Sequence, residues 1–491
     1  MNTLVRTIAS ADAGMGHLVR TLALVKPLSE LGSVWVATET KGDELINRIQ
    51  LAGCTHIALE PNTMPDDEIA RILAGTKGTP IHLVISDHYD LDASWHAAIR
   101  PHTQRILAID DLGDRPLDCD FLLDPNLGAD PSSYSVWVPQ HCVRLCGAHY
   151  ALLRPAFAKL RRKAKKRTKL KRILISFGGG DPKNLTQWAC TRILKDFSQL
   201  KLDVVIGPSH PSREHLHELA AKRHQVRVFE DLDANAFGEL MLAADLAIGG
   251  GGQTSWERCA LGLPSLLVNV ADNQESNTRA LTRAGAALML GTPDDQDQRN
   301  NNLHQTIATL LHNPEALQVL SIRALPLVDG RGPLRVAARL VAPTVRLATR
   351  DDSESLWLWA NDPSATAKDS QPADTQKMSH EEWLQDVLTT TDKHLFMGEW
   401  VGQTVGSCQF DMRGEEAKVS LMLAPAYRGL GLSTPLLRAS INAFWEKRPN
   451  VPLVAHVPTM SIEALRLYTA CGFEPVRSDE NEMHRFVLTP E

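Results

Sequence analysis

The stretch Ala247-Ile248-Gly249-Gly250-Gly251-Gly252-Gln253-Thr254-Ser255-Trp256-Glu257 decides the fold: a short apolar run, four consecutive glycines, then a helical pattern. A strand that runs through glycines straight into a helix start is the βα turn of a parallel α/β lobe. Glycine lets the backbone approach an anion closely. The free amides of the next helix's first turn, with the positive end of its dipole, complete a phosphate cradle. Glu257 falls one turn into that helix, where a carboxylate suits the paired hydroxyls of a ribose. Gly251, Gly252, Thr254, Ser255 and Glu257 therefore read as ligands of a nucleoside diphosphate; a plain tight turn is the alternative reading of the same glycines.

The surrounding chain repeats this pattern. A lobe over residues 173–325 starts at Arg172-Ile173-Leu174-Ile175-Ser176-Phe177, ends that run in Gly178, Gly179 and Gly180, and continues through Leu202 to Ile206, Ala244 to Ile248 and Leu266 to Val270. Asp272-Asn273-Gln274-Glu275-Ser276-Asn277 follows the last of these, and Asn277 is a plausible ligand for a base or sugar. A second such lobe occupies residues 1–155, with runs at Leu4 to Ala9 and Val34 to Thr38 around a helix from His17 to Leu31. Three later runs end in acid: Ile81 to Asp87, Arg105 to Asp111, and Phe121 to Asp124. Ligands bind beyond the carboxyl ends of such strands, so these acids are expected to rim one cleft. Two tandem lobes suggest a two-lobed nucleotide-sugar enzyme.

Ala11-Asp12-Ala13-Gly14-Met15-Gly16-His17-Leu18-Val19-Arg20 joins the first strand to the first helix. Gly14 and Gly16 permit a tight loop, and the dipole at the helix start disfavours an imidazolium at His17, leaving a neutral base. From these residues alone, His17 either takes a proton from water or hydrogen-bonds the loop. Asp87-His88-Tyr89-Asp90-Leu91-Asp92 gathers acids, an imidazole and a phenol at one strand end, with Asp90 and Asp92 better explained by turn chemistry.

Length and composition bound the rest. The 491 residues imply about three domains, and 43% hydrophobic with 22% charged residues is ordinary for a globular protein. No apolar run spans a membrane and no signal peptide is evident, so a cytoplasmic protein is expected. The eight cysteines form no CxxC pair, which favours reduced thiols and no metal site, although Cys142 and Cys146 lie near His141 and His149. A net charge of -6 gives no reason to expect nucleic acid or an anionic membrane as partner. The linker 156–172 nevertheless carries nine positive side chains in the twelve positions from Arg161 to Arg172. No aromatics interleave for base stacking, so it reads as a solvated hinge.

Pro326, Gly330, Gly332, Pro333 and Pro343 mark a second linker, 326–343, before a third unit over 344–491. Strand-like runs at His394 to Trp400, Val405 to Asp411 and Lys418 to Leu423 lead into Tyr427-Arg428-Gly429-Leu430-Gly431-Leu432-Ser433 and a helix, a second phosphate-binding loop.

Gly14-x-Gly16-His17-x-x-Arg20, Asp87-His88-Tyr89-x-x-Asp92, Ile109-Asp110-Asp111-Leu112, Tyr150-Ala151-Leu152-Leu153-Arg154-Pro155, Ser176-Phe177-Gly178-Gly179-Gly180-Asp181-Pro182 and Thr254-Ser255-Trp256-Glu257 together resemble the UDP-sugar hydrolases of pseudaminic acid biosynthesis, over residues 4 to 325. The resemblance implies two Rossmann-like lobes in a GT-B arrangement and hydrolysis of UDP-2,4-diacetamido-2,4,6-trideoxy-β-L-altropyranose to UDP and free sugar without a metal. It places His17 as catalytic base and Gly16, Arg20, Asp87, Tyr89, Gly179, Gly251, Gly252, Thr254, Ser255, Glu257 and Asn277 on the substrate.

The third unit resembles the GNAT N-acetyltransferases over about residues 344 to 490. That resemblance implies acetyl-CoA as co-substrate, held by Leu423, Arg428, Gly429, Gly431 and Ser433, with Tyr468 protonating the departing thiolate. Ser433 replaces the last glycine of the family's loop, and Ser461 an asparagine. Glu399, Asp411 and His456 are candidates for the base that deprotonates an amine. The two resemblances together imply a bifunctional enzyme that N-acetylates a 4-amino UDP-sugar and then removes UDP. The alternatives are a GT-B glycosyltransferase, a hydrolase of a related UDP-sugar with a non-catalytic GNAT-like domain, or a polyanion-binding protein organised around residues 161–172.

Overall fold

Short aliphatic runs without a polar break can only be satisfied where both faces are covered, and the first lobe builds a parallel sheet from them. The computed structural model describes residues 1–8, 16–39, 42–271, 274–363, 377–476 and 483–490. Gly14 and the rest of residues 9–15, with Asp272 and Asn273, lie outside them. The chain divides into a unit from Met1 to Val336 and one from Ala337 to Glu491, a boundary inside the 326–343 segment.

In the first unit, β1 (Thr3–Thr7), β2 (Val34–Thr38), β3 (Thr55–Ala58), β4 (Ile81–Asp87), β5 (Thr103–Ile109), β6 (Phe121–Asp124) and β7 (Val143–Cys146) form one sheet in the order 3-2-1-4-5-6-7. Every pairing in it is parallel. Chain order reverses between the neighbours β1 and β4, so their carboxyl ends form the switch-point crevice. The second sheet repeats the plan with β8 (Arg172–Ser176), β9 (Lys201–Ile206), β10 (Val226–Glu230), β11 (Leu246–Gly250), β12 (Ser265–Val268) and β13 (Ala287–Gly291), ordered 10-9-8-11-12-13. Its switch point lies between β8 and β11. Alternation along β8 sends Ile173 and Ile175 into one core and Leu174 into the other.

The segment between the lobes is less free than its charge suggests. Arg161 donates to the carbonyls of Ala260, Leu325 and Val328, and the buried Arg167 donates to those of Lys165, Met241, Ala244, Leu261 and Gly262. Arg172 also pairs with the buried Asp203, so a wholly solvated hinge is corrected to a segment fastened at Arg161, Arg167 and Arg172. The 326–343 segment also carries structure. Its helix Gly332–Leu340 opens where a Cβ on Gly332 would stand 2.1 Å from the Ala151 carbonyl, so only glycine admits that approach.

In the second unit, β14 (Thr344–Leu347), β15 (Lys393–Trp400), β16 (Gln403–Arg413), β17 (Glu416–Leu423), β18 (Leu453–Pro458), β19 (Glu474–Val476) and β20 (Met483–Leu488) form a sheet ordered 14-15-16-17-18-20-19. All neighbours are antiparallel except β17 and β18, which pair in parallel only at Ala417 with Leu453 and Lys418 with Val454. Beyond those two pairs the strands separate, and the loop Arg428–Ser433 follows the open end of β17. Among the described residues no helix is long and apolar enough to cross a membrane.

Candidate active sites

The end of β4 meets the end of β1, with Asp87 in register with Thr7, and the helix Gly16–Leu28 starts above that junction. Gly16 is exposed at its first turn, and His17 follows, mostly buried. His17 Nδ1 stands 2.7 Å from Asp87 Oδ1. Arg20, one turn on, donates from Nε to Asp87 Oδ2 at 2.8 Å and from Nη2 to Oδ1 at 2.5 Å, and its Nη1 reaches Asp111 at 3.5 Å. A carboxylate against Nδ1 fixes the proton there and leaves Nε2 as the acceptor. Burial opposes the charge on Asp87, but Arg20 and His17 outweigh it and hold the carboxyl down at about 2. Burial would also lower Arg20, yet Asp87 and Asp111 raise it above its ordinary value. Tyr89 meets the imidazole edge-to-face at 4.9 Å.

Two expectations change here. Asp87 has no accessible surface and both its oxygens are engaged, so it orients His17 and Arg20 instead of touching a ligand. Asp110 and Asp124 are also tied down, while Asp111 meets only Arg20 and its Oδ1 lacks a partner among the described residues. Asp110 binds Arg115 and caps the N–H groups of Leu112 and Gly113, while Asp124 accepts from Tyr134 and is pushed up by burial to about 6. Asp92 caps the helix Ala93–Ile99, as turn chemistry suggested, through the N–H groups of Ser94 and Trp95.

In the second lobe the four glycines run from the end of β11 into the helix Thr254–Ala260. None has positive φ; close packing requires them. A Cβ on Gly249 would stand 2.3 Å from the Ser176 carbonyl, and one on Gly251 would stand 2.1 Å from Thr278 Oγ1. Gly252 is freer, 3.3 Å from the Gln274 side chain. Gln274 holds the Gly251 N–H, while among the described residues nothing accepts from the N–H groups of Gly252, Gln253 and Thr254. Asn277 donates to the Gly251 carbonyl, and its buried Oδ1 and the Thr278 hydroxyl lack partners among the described residues. Buried polar atoms without partners are costly unless a ligand or water satisfies them.

Ser255 turns inward: its hydroxyl contacts the Gly250 carbonyl and accepts from Arg258, so it braces the loop. Arg258 also donates to the Gly250 carbonyl, and burial brings it down to about 10. Glu257 is buried and pairs with Arg154, while Gln253 donates to the Leu152 carbonyl. The exposed Gly179 packs its carbonyl on Gly207.

In the second unit, Gly429 and Gly431 hold φ of 72° and 86°, which glycine adopts without a Cβ penalty. Ser433 opens the helix Ser433–Trp445. Arg428 is committed within the chain: it donates from Nε to the Leu423 carbonyl at 3.1 Å and from Nη1 to Asp362 at 2.6 Å. Leu423 thus anchors the loop with its carbonyl. A strand pair that splays beside a loop with left-handed glycines fits a pantetheine arm and a pyrophosphate. Tyr468 lies in the helix Ile462–Ala470, almost buried, edge-on to Phe473 at 5.1 Å. Glu399 pairs with Arg346, and Asp411 accepts from Gln409.

The family described as "Glycosyltransferase family 28 C-terminal domain" matches residues 162–325, and "Acetyltransferase (GNAT) domain" matches residues 344–474. The chain is a fusion of these two kinds of domain. The fusion is 27% identical over 287 residues to the "UDP-2,4-diacetamido-2,4,6-trideoxy-beta-L-altropyranose hydrolase" of Campylobacter jejuni, covering 58% of this chain and 97% of that protein. It is 25% identical over 336 residues to "Spore coat polysaccharide biosynthesis protein SpsG" of Bacillus subtilis, covering 67% of this chain and 94% of that protein. It is 27% identical over 277 residues to "Uncharacterized protein MJ1062" of Methanocaldococcus jannaschii, where the match spans 55% of each chain.

Arg154, Arg258, Gln274 and Thr278 were not singled out in the sequence, although the first three hold the glycine loop or its acid and Thr278 packs against Gly251. Arg154 and Gln274 stood inside segments that marked them; Arg258 and Thr278 carried no signal, because only the folded loop brings them to the glycines.

Proposed function

We propose that the first unit hydrolyses a UDP-sugar, UDP-2,4-diacetamido-2,4,6-trideoxy-β-L-altropyranose, to UDP and free sugar, and that the second transfers an acetyl group from acetyl-CoA to the amine of its 4-amino precursor. One observation carries the hydrolytic reading: a buried carboxylate holds His17 Nδ1, so that Nε2 is the proton acceptor. His17 takes a proton from water as its oxygen bonds to the anomeric carbon, and the C–O bond to UDP breaks. Asp87 stabilises the imidazolium that results. Amides of the 252–254 turn and the Asn277 region offset charge on the departing UDP. The similarity to the Campylobacter jejuni hydrolase supports the sugar. In the second unit the amine nitrogen bonds to the thioester carbon and loses a proton to solvent, the C–S bond breaks, and Tyr468 gives its phenol proton to the coenzyme A thiolate and regains one from solvent.

Mass spectrometry of the products from the 4-amino UDP-sugar with acetyl-CoA tests both steps: free diacetamido sugar, UDP and coenzyme A are expected. UDP released without an acceptor separates hydrolysis from glycosyl transfer. The Bacillus subtilis relative, a spore coat polysaccharide biosynthesis protein, supports a second reading of the sugar, a related UDP-sugar in place of the altropyranose. Release of UDP from such a sugar and not from the altropyranose would select it.

A further inference from the structure

The hexapeptide Tyr150–Pro155 stands out in the sequence yet has no part in the chemistry above. Its Arg154 directly precedes Pro155, the first residue of the helix Pro155–Leu160 that starts the connector between the lobes. From there it crosses to the second lobe. Nε and Nη2 donate to the same oxygen of Glu257, Oε1, at 3.1 and 2.8 Å. Its guanidinium carbon lies 5.3 Å from the ring centroid of the fully buried Phe157. The contact is reinforced two residues earlier, where the Leu152 carbonyl accepts from Gln253 at 2.9 Å. Residues 152–154 are thereby joined to residues 253–257 at two points.

Glu257 is 4% exposed, and burial pushes its carboxyl up while Arg154 pulls it down. A buried acid without a cation tends to take a proton and turn to another partner. With both donors of Arg154 on Oε1, the carboxylate is held in one orientation, with its second oxygen available to hydroxyls in the cleft.

We propose that Arg154 is a positioning residue for ribose recognition: from the connector it holds the Glu257 carboxylate ready to accept from the 2′- and 3′-hydroxyls of the nucleoside diphosphate. This rests on the reading of Glu257 as the ribose acceptor. Arg154 acts through Glu257 and does not itself touch the nucleotide. A lysine at this position supplies charge without the forked pair of donors.

Calorimetric titration of the full chain with UDP and with 2′-deoxy-UDP tests the proposal. The unaltered protein is expected to prefer UDP by roughly tenfold or more, the worth of a hydrogen bond to a charged acceptor. Arg154→Met is expected to shrink that preference to about threefold or less while 2′-deoxy-UDP binds within about threefold of its original affinity. Arg154→Lys is expected to fall between, and it reads the same ratio should the methionine variant not fold. An Arg154 variant that keeps the full preference, or weakens both nucleotides equally, overturns the proposal and leaves Glu257 as ribose acceptor. An unaltered protein that binds both nucleotides equally overturns the role of Glu257, and the proposal with it.

Discussion

His17 and Asp87 are seventy residues apart in the chain, and their Nδ1 and Oδ1 atoms are 2.7 Å apart in the fold. The carboxylate is at the last residue of one strand and the imidazole at the start of a helix that follows its neighbour, so the switch point of the sheet assembles the pair. Asp87→Asn keeps the shape but lets the amide donate to Nδ1, which moves the proton to Nε2 and removes the acceptor. UDP release is expected to fall by roughly two to four orders of magnitude in kcat, with a smaller change in KM. Steady-state kinetics on purified UDP-sugar checks this; a loss below about threefold contradicts it.

Acid should act on the first unit partly through His96, which is fully buried, 2.9 Å from the Ser86 hydroxyl, and lowered to about 4 by burial. An unfolded histidine takes its proton near pH 6.5 and the folded one only near 4, so the unfolded state binds more protons between those values. Stability from this group is complete above pH 6.5 and falls as pH drops toward 4, by about 3 kcal/mol. In urea unfolding, the gap between the unaltered protein and His96→Gln is expected to narrow by about that amount from pH 7 to pH 4. A gap constant with pH contradicts it.

The glycine loop gives a steric test. Gly251→Ala places a methyl group 2.1 Å from Thr278 Oγ1, whereas Gly252→Ala meets only the end of the Gln274 side chain at 3.3 Å. The first is expected to cost about 1–3 kcal/mol and to weaken UDP binding at least about tenfold, the second less than about 1 kcal/mol. Thr278→Ala in the Gly251→Ala background should recover part of the loss. Thermal melts and UDP titration measure all three.

In the second unit, Gly431 at φ 86° cannot take a side chain without strain. Gly431→Ala is expected to raise the KM for acetyl-CoA about tenfold, from a strain of about 1–2 kcal/mol in the pyrophosphate loop, and to leave UDP release unchanged. Parallel assays of coenzyme A and UDP check it; a fall in both activities contradicts separate sites.

Arg167→Ala removes a buried cation that caps five carbonyls and is expected to destabilise the first unit by about 3 kcal/mol or more. Neutralising the exposed Lys165 and Lys166 should change the unfolding free energy in urea by less than about 0.5 kcal/mol. Equal effects would contradict the division of this run into fastened and solvated cations.

Much of the architecture was legible because strands buried on both faces leave uninterrupted aliphatic runs. Val34–Thr38, Ile81–Asp87 and Phe121–Asp124 were bounded from sequence as they stand in the fold. Short edge strands such as Thr55–Ala58, with one buried residue, and Glu474–Val476, exposed throughout, carry no such signal. At the sites, glycine and histidine positions in βα turns were legible because loop geometry demands them. The direction of a side chain was not. Asp87 and Ser255 were read as ligand contacts, but burial turns both onto neighbours in the chain. The charge of residues 161–172 hid that Arg161 and Arg167 are structural, since their partners are backbone carbonyls, which composition cannot show.

The most direct measurement is UDP release by His17→Asn, with coenzyme A release followed in the same preparation. Loss of UDP release with acetyl-CoA turnover intact is the expected result. UDP release persisting within about threefold, a barrier change of only ~0.7 kcal/mol, would contradict His17 as the base.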